Sequence, residues 1–185
     1  KPVAAGATRT GAGWLNVDVL ALRAASSLAV PPELDNPYCF PDPLSPHIAA
    51  ARVGQGVSVD VLLARYQALA ALADAVVVEG AGGFIVPLSA THTSADLAQR
   101  LALPVVLVVG LRLGCLNHAL LTQEAVAARG LRLAGWVANR IDPAMQAQDD
   151  NIATLQARIR APMLADIPWL ATPDARTVAL QLPFP

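Results

Sequence analysis

Short apolar runs alternate with segments of helical periodicity along the 185 residues of this chain. Three runs are rich in β-branched residues, are bounded by turn residues and predict buried parallel strands: 75–78, 104–109 and 134–138. Segments typical of helices precede these runs: 59–72, 93–101 and 117–129. A further helix over about 144–160 leads into an apolar segment at 162–167. This alternation predicts an α/β fold of one domain, 1–185, with a doubly wound, mostly parallel sheet and helices on both faces.

One segment interrupts the alternation. Residues 31–46 contain six prolines, which are unfavourable inside helices and central strands. We therefore expect a long ordered loop there, and long loops inside compact domains are often functional.

The composition of the chain argues against several classes of function. Hydrophobic residues make up 55% of the chain and charged residues 15%, which argues against a disordered protein. The formal net charge is −1 and no block of like charge occurs, so neither nucleic acid nor an anionic membrane surface is an expected partner. The longest apolar stretch, 101–111, is shorter than the roughly 20 residues of a spanning helix. No secretory leader is apparent, and the two cysteines match no metal-site spacing. A cytoplasmic enzyme is expected.

Acidic and glycine residues follow the predicted strand at 75–78. Glu79 is succeeded by Gly80, Ala81 and Gly82, and ligands of parallel sheets bind beyond the carboxyl ends of the strands. A carboxylate followed by glycines suits a Mg²⁺ ion with phosphates close to the backbone, and Asp18 is the acid that we would pair with Glu79. An ordinary glycine-rich turn with Glu79 facing water is the alternative.

The next two predicted strands also end in candidate binding loops. The loop 110–117 opens a helix, whose free backbone N–H groups could hold a carboxylate. Asn139 and Arg140 follow the strand at 134–138, where a side-chain amide could bind a nucleotide base. Plain capped turns are the alternative for both loops.

Several motifs together resemble the dethiobiotin synthetase family, in the order that the family has them. They are 1–4 (KPVA), 16–18 (NVD), 36–38 (NPY), 45–49 (SPHIA), 78–83 (VEGAGG), 113–118 (LGCLNH), 134–139 (AGWVAN) and 167–170 (IPWL). The glycine-rich motif also suits relatives that amidate or ligate on the same P-loop NTPase-like fold, whereas the pair SPHIAA and LGCLNH is much more specific.

The resemblance implies an ATP- and Mg²⁺-dependent ligase of biotin biosynthesis. Such enzymes convert 7,8-diaminopelargonic acid and CO₂ into dethiobiotin, and they work as homodimers with shared active sites. The resemblance implies that Lys1 acts in catalysis and substrate binding and that Asp18 and Glu79 bind the metal. It implies nucleotide binding by these two acids and by Gly80, Ala81, Gly82, Asn139, Arg140, Pro168, Trp169 and Leu170. It implies substrate binding by Ala5, Gly114, Cys115, Leu116 and Asn117.

Two departures from the family accompany these matches. The family's Gly-x-x-x-x-Gly-Lys-Thr motif is missing, and it cannot lie further along because Lys1 is the only lysine. We therefore expect a strand, this loop and its helix to precede Lys1 in the complete protein. Ala5 stands where the family usually has a serine.

Two other functions remain open at this point. One is a non-catalytic, regulatory or binding relative that has lost its phosphate loop, and the retention of Lys1, Asp18 and Glu79 speaks against it. The other is a cobyrinic-acid-type synthase, which normally carries a glutaminase domain with a nucleophilic cysteine.

Overall fold

A computed structural model describes residues 1–11, 13–174 and 178. Contacts divide the chain into two compact units, Lys1–Leu101 and a second unit that begins at Ala102. Each unit combines strands with helices. The predicted α/β class is confirmed, and the assignment of 1–185 to a single domain stays a prediction.

The first unit has short strands and five helices within its described residues. In chain order these are β1 (Val3–Ala5), β2 (Thr8–Thr10), β3 (Gly13–Leu15), α1 (Val17–Ala25), α2 (Pro32–Asp35), β4 (Tyr38–Phe40), α3 (Pro46–Arg52), α4 (Val59–Ala70) and α5 (Ser94–Leu101). Strands β1 and β4 are parallel, whereas β2 and β3 form an antiparallel hairpin. The core of the first unit contains Phe40 and Leu62, which are almost fully buried.

The second unit is a parallel sheet with helical crossovers. It contains β5 (Val105–Gly110), α6 (Cys115–Ala128), β6 (Leu133–Asn139), α7 (Gln148–Arg158) and β7 (Met163–Ile167), with the strand order β5-β6-β7. The register pairs Gly110 with Asn139 and Asn139 with Ile167. The carboxyl ends of all three strands therefore lie side by side at one edge of this sheet. Trp136, Leu111 and Leu155 are fully buried in its core.

The predicted helices and the later strands are confirmed with small shifts at their ends. Helix α6 stops before Gly130, which has the positive φ of +70° that ends many helices. Helix α7 begins at Gln148 rather than near 144. The preceding residues instead form a turn in which the amide of Met145 donates to the carbonyl of Asp142.

Two predictions were wrong. The segment 75–78 is not a strand: no described strand pairs with it, and Val77 is 83% exposed. Without a neighbour to satisfy its N–H and C=O groups, an apolar run does not form a ladder. The proline-rich segment 31–46 does contain regular structure, namely α2 and β4. Pro32 occupies the first turn of α2, where a missing N–H costs nothing, and β4 lies between Pro37 and Pro41.

In the part of the chain that the structure describes, no helix has the length and apolar character needed to cross a membrane.

Candidate active site

The side chain of Lys1 is the centre of a charged cluster in the first unit. Its Nζ lies 2.5 Å from Glu79 Oε1 and 3.1 Å from Asp18 Oδ2, and it donates to the carbonyl of Gly80 at 3.0 Å. The Lys1 side chain is only 8% exposed, whereas those of Asp18 and Glu79 are 52% and 46% exposed. A shielded ammonium thus faces two carboxylates that remain open to solvent.

Hydrogen bonds to backbone groups fix the position of Lys1. Asn36 Nδ2 donates to the carbonyl of Lys1 at 2.7 Å and to that of Tyr38 at 3.1 Å. The amide of Tyr38 in turn donates to the carbonyl of Pro2 at 3.3 Å. These bonds continue the β1–β4 ladder to the start of β1, so the lysine extends from an ordered strand end.

Asp18 is carried by the first turn of α1. Asn16 caps this helix, because its Oδ1 accepts from the amides of Asp18 and Val19 at 3.0 and 3.4 Å. Asp18 is the acidic residue of this first turn, so its position follows from where α1 begins.

The glycine-rich loop that begins at Glu79 is tied to the start of α5. Ser94 Oγ donates to the carbonyl of Phe84 at 2.6 Å and accepts from the amide of Val86 at 2.9 Å. Gly82 has φ +87°, a conformation in which a side chain would be strained. The loop is therefore shaped by hydrogen bonds and by glycine rather than by strand pairing.

The electrostatics of the cluster keep the lysine charged. Burial lowers the pKa of Lys1, but hydrogen bonds and charge from Glu79 and Asp18 raise it by more, so the net pKa lies above its ordinary value. The ammonium is thus a fixed positive charge at neutral pH.

The cluster opens on a cavity of about 410 Å³ within the first unit. Its walls include most of the site residues predicted for this unit together with the loop before α3: Lys1, Ala5, Asp18, Pro43, Leu44, Ser45, Pro46, Ala81, Gly82 and Val86. Ala5 lines it with a methyl group, so a hydroxyl at that position is absent. The cavity is lined by both charged and apolar residues.

The donor set fits a magnesium ion that is shared with phosphates. In the described residues no group of three or more His, Cys, Asp or Glu side chains could hold a metal by itself. Mg²⁺ commonly takes one or two carboxylates and completes its shell with phosphate oxygens and water. Asp18 and Glu79 are such a pair, because both contact the same Lys1 nitrogen.

In the second unit, helix α6 begins without a side chain that caps its first turn. Gly114 has φ +94° and precedes the helix without a side-chain cap, and the first turn carries no acidic residue. Cys115 is buried, and its amide donates to the carbonyl of Arg112 at 3.0 Å. The amides of Leu116 and Asn117 lie in the first turn, where helices leave N–H groups without a partner inside the helix. An anion would be met by main-chain donors.

Two predicted nucleotide-binding segments, Asn139 and 168–170, lie at the ends of β6 and β7. Asn139 ends β6 and pairs in register with Ile167, and Pro168, Trp169 and Leu170 follow β7 directly. Trp169 is 49% exposed, so part of its side chain is open to solvent.

Arg140 has a different environment from the one that its predicted nucleotide contact suggests. Its Nε and Nη2 donate to the two carboxylate oxygens of Asp166 at 2.8 and 2.7 Å, and Nη2 also contacts Asp149 at 2.6 Å. Gln148 Oε1 accepts from Nη1 at 3.2 Å. The guanidinium thus joins β7 and α7 to the end of β6.

Sequence reasoning assigned no role to several polar residues that hold predicted site residues or the loop beside them. Asn16, Asn36 and Asp166 bond to predicted site residues or their backbone, and Ser94 bonds to the loop that follows Gly82. Asn16 and Ser94 stand at or beside helix starts, and this capping pattern is the one signal that could have identified them.

Comparisons with known proteins identify the family of the chain. A family model described as an AAA domain matches residues 1–177. A protein of Aromatoleum aromaticum named ATP-dependent dethiobiotin synthetase BioD is 54% identical over 187 residues, covering 100% of this chain and 82% of the relative. Proteins of the same name from two strains of Xanthomonas oryzae pv. oryzae, PXO99A and MAFF 311018, are each 50% identical and cover 99% of this chain and 83% of theirs. The chain belongs to the ATP-dependent dethiobiotin synthetase family.

Proposed function

We propose that this protein is a dethiobiotin synthetase. It consumes ATP to join CO₂ to 7,8-diaminopelargonic acid and to close the ureido ring, with release of ADP and phosphate. The observation that carries this proposal is the shielded Lys1 ammonium, held between Asp18 and Glu79 beside an open cavity. That arrangement suits a reaction between two anions.

The reaction joins a carbamate to a triphosphate. One amine of the substrate takes up CO₂ and loses a proton to give the carbamate, whose oxygen attacks the γ-phosphorus of ATP while ADP leaves. The second amine then attacks the carbonyl carbon of this mixed anhydride, and phosphate leaves as the ring closes. We assign Lys1 the role of neutralising the carbamate and the transferring phosphoryl group. Phosphoryl transfer is catalysed mainly by such positioning and charge.

Asp18 and Glu79 would hold Mg²⁺, which when bound neutralises the phosphate oxygens. Gly80, Ala81 and Gly82 supply a backbone that phosphates can approach closely. The half-exposed state of both carboxylates supports this assignment, because a cation shared with a nucleotide must be reached from solvent.

For the second unit we propose two binding roles. Asn139 reads the adenine edge, and Pro168, Trp169 and Leu170 form the wall against which the base packs. The backbone of Gly114, Cys115, Leu116 and Asn117 holds the substrate carboxylate. Support comes from the shared sheet edge of Asn139 and Ile167 and from the uncapped start of α6. Arg140, whose guanidinium is engaged by Asp166 and Asp149, contributes to the nucleotide site through its backbone position.

The test is ATP-dependent formation of dethiobiotin by the full-length protein. Lys1→Met should lower kcat by at least 100-fold, because it removes the charge that stabilises the transition state. Lys1→Arg should recover only part of the activity. Arg52→Met removes an exposed cation that pairs with Asp42 and should keep wild-type activity. A folded Lys1→Met enzyme with wild-type kcat would show that Lys1 has no catalytic role.

We also propose a homodimer in which the loop 114–117 serves the neighbouring subunit. Helix α6 supports this, because it buries Ala119 and Val126 while Leu121 is 56% exposed and the preceding Leu113 is 96% exposed. Apolar side chains beyond one buried stripe are compatible with a second contact face. A cytoplasmic location is part of the same proposal, since both cysteines are free thiols.

Mixing two inactive full-length variants tests the shared site. Lys1→Ala disables the cluster and Asn117→Pro disables the carboxylate loop, so a mixed dimer with composite sites regains one intact site. Activity should therefore return in part on subunit exchange. Exchange without any recovery, with both variants folded, would mean that each subunit builds its site alone.

A further inference from the structure

Asn16 is a buried polar side chain beside the charged cluster. It is 5% exposed, and both ends of its amide make hydrogen bonds to backbone groups, on two different elements. Burial of an amide is favourable only when its hydrogen bonds are made, so each of these contacts contributes to the local geometry.

The two ends of the amide perform separate tasks. Oδ1 accepts from the amides of Asp18 and Val19 and caps α1, as many helix caps do. Nδ2 donates to the carbonyl of Ala5 at 3.0 Å, at the end of β1 and eleven residues away in sequence. A cap alone needs only an acceptor. The second bond ties the start of α1 to the strand that begins beside Lys1.

We propose that Asn16 is a positioning residue that holds the Asp18 carboxylate beside Lys1 by tying the start of α1 to the end of β1. The proposal rests on the metal-binding role of Asp18 given above. The Asp18 side chain is 52% exposed, so packing does little to fix it, and its place depends on where the first turn of α1 lies. Asn16 sets that place.

Substitutions of Asn16 can remove the hydrogen bond to the Ala5 carbonyl (the tie) and keep the cap of α1. Serine is a good cap but is too short to reach the Ala5 carbonyl, so Asn16→Ser removes the tie and keeps the cap. Aspartate has the shape of asparagine but only accepts, so Asn16→Asp also loses the tie. Ser58→Ala is the matched control, because Ser58 caps α4 in the same unit through the amide of Val61 and lies outside the cluster.

The first readout is metal binding without turnover. Mn²⁺ would be titrated into the full-length protein with a non-hydrolysable ATP analogue and followed by electron paramagnetic resonance. Asn16→Ser should weaken Mn²⁺ binding about fivefold, the effect of losing one buried hydrogen bond. Ser58→Ala should leave Mn²⁺ binding unchanged although it lowers the unfolding temperature. The half-saturating Mg²⁺ concentration for turnover should rise in parallel with the Mn²⁺ dissociation constant.

A double-mutant cycle with Asp18→Asn shows whether Asn16 acts through Asp18. The effect of Asn16→Ser on Mn²⁺ binding should disappear when Asp18 is already Asn. A folded Asn16→Ser protein with wild-type Mn²⁺ affinity overturns the proposal, and if that variant does not fold, Asn16→Asp is judged by the same criterion. If Asp18→Asn itself leaves Mn²⁺ binding intact, the metal-binding role of Asp18 fails instead. The two failures are therefore distinguishable.

Discussion

Replacing Asp166 by Asn removes half of the ion pair that joins β7 to the end of β6. In the wild-type protein, Asp166 accepts from Arg140 Nε at 2.8 Å and from Nη2 at 2.7 Å, a bidentate geometry that favours charge-assisted bonding. The amide of asparagine keeps the shape but accepts through only one oxygen and carries no charge. Arg140 then retains Asp149 as its acidic partner.

Burial sets the size of the effect. Hydrogen bonds to charged groups contribute about 1.5–3 kcal/mol when they are well shielded. The Asp166 side chain is 36% exposed and that of Arg140 is 24% exposed, so solvent screens part of this interaction. We expect Asp166→Asn to lower the free energy of unfolding by about 1 kcal/mol at neutral pH. Asp149→Asn is the control: Asp149 is 86% exposed, and its loss should cost only a few tenths of a kcal/mol.

The pH dependence follows from the direction of the pKa shift. Hydrogen bonds from Arg140 hold the pKa of Asp166 below its ordinary value, against the opposite effect of burial. A carboxyl whose pKa is depressed by folding stabilises the protein above its unfolded pKa of about 3.9 and loses that contribution as the pH falls through its folded value. The difference between wild type and Asp166→Asn should therefore be constant between about pH 5 and 8 and should shrink below about pH 4.

Urea denaturation, followed by tryptophan fluorescence across this pH range, measures the difference directly. Trp136 is fully buried in the core of the same unit and reports its unfolding. A difference that stays the same down to pH 3 would refute the reasoning, because it would show that Asp166 acts by packing or by its uncharged hydrogen bonds. A loss equal to that of Asp149→Asn would show that the bidentate contact adds nothing.

Two further predictions concern the sheet and the cluster. Gly135→Ala should destabilise the protein by about 1–3 kcal/mol, since a Cβ there would lie 2.5 Å from Leu164 Cγ; chemical denaturation measures this, and the cost should be smaller in a Leu164→Ala background. Glu79→Gln should lower kcat/KM about 10- to 150-fold and raise the Mg²⁺ requirement, because the charge that contacts Lys1 is lost, while the circular dichroism spectrum is retained. Steady-state kinetics at varied Mg²⁺ measure both effects, and unchanged values would show that Glu79 is only a turn residue.

The second unit was predictable from sequence because its signals are local. Val105–Gly110 is rich in β-branched valine, and Gly130 ends α6 by its own backbone preference. Neither signal depends on what lies far away in the chain. The start of α7 was misplaced because Asp142 forms a turn with Ala144 and Met145, a local hydrogen-bond pattern that hydrophobic periodicity does not register.

The segment 75–78 shows the limit of this approach. Its valines favour burial and extended backbone, yet a strand also needs a partner whose N–H and C=O groups match its own. Partner choice is a tertiary property. In the proline-rich segment the opposite error occurred, because proline excludes helix and strand only at particular positions, and Pro32 occupies a permitted one.

The candidate site was predictable in its chemistry and not in its support. Acid and glycine residues after an apolar run, with Asp18 as a second acid, indicated the cluster that the structure forms around Lys1. Arg140 illustrates what was out of reach. Its partner Asp166 lies 26 residues further along the chain, and no periodicity or spacing links the two.

A few polar residues outside the cluster of Lys1, Asp18 and Glu79 help to position residues within it. Two of the motifs that resemble the dethiobiotin synthetases contain an asparagine whose amide holds a site residue: Asn16 stands beside Asp18, and Asn36 binds the carbonyl of Lys1. The Asn16 amide bonds to three backbone groups and the Asn36 amide to two, in each case on two different segments. The side chains of Asp18 and Glu79 are 52% and 46% exposed, so burial does little to fix them. The positions of Asp18 and Lys1 therefore depend on the backbone that carries them, which bonds to the amides of Asn16 and Asn36.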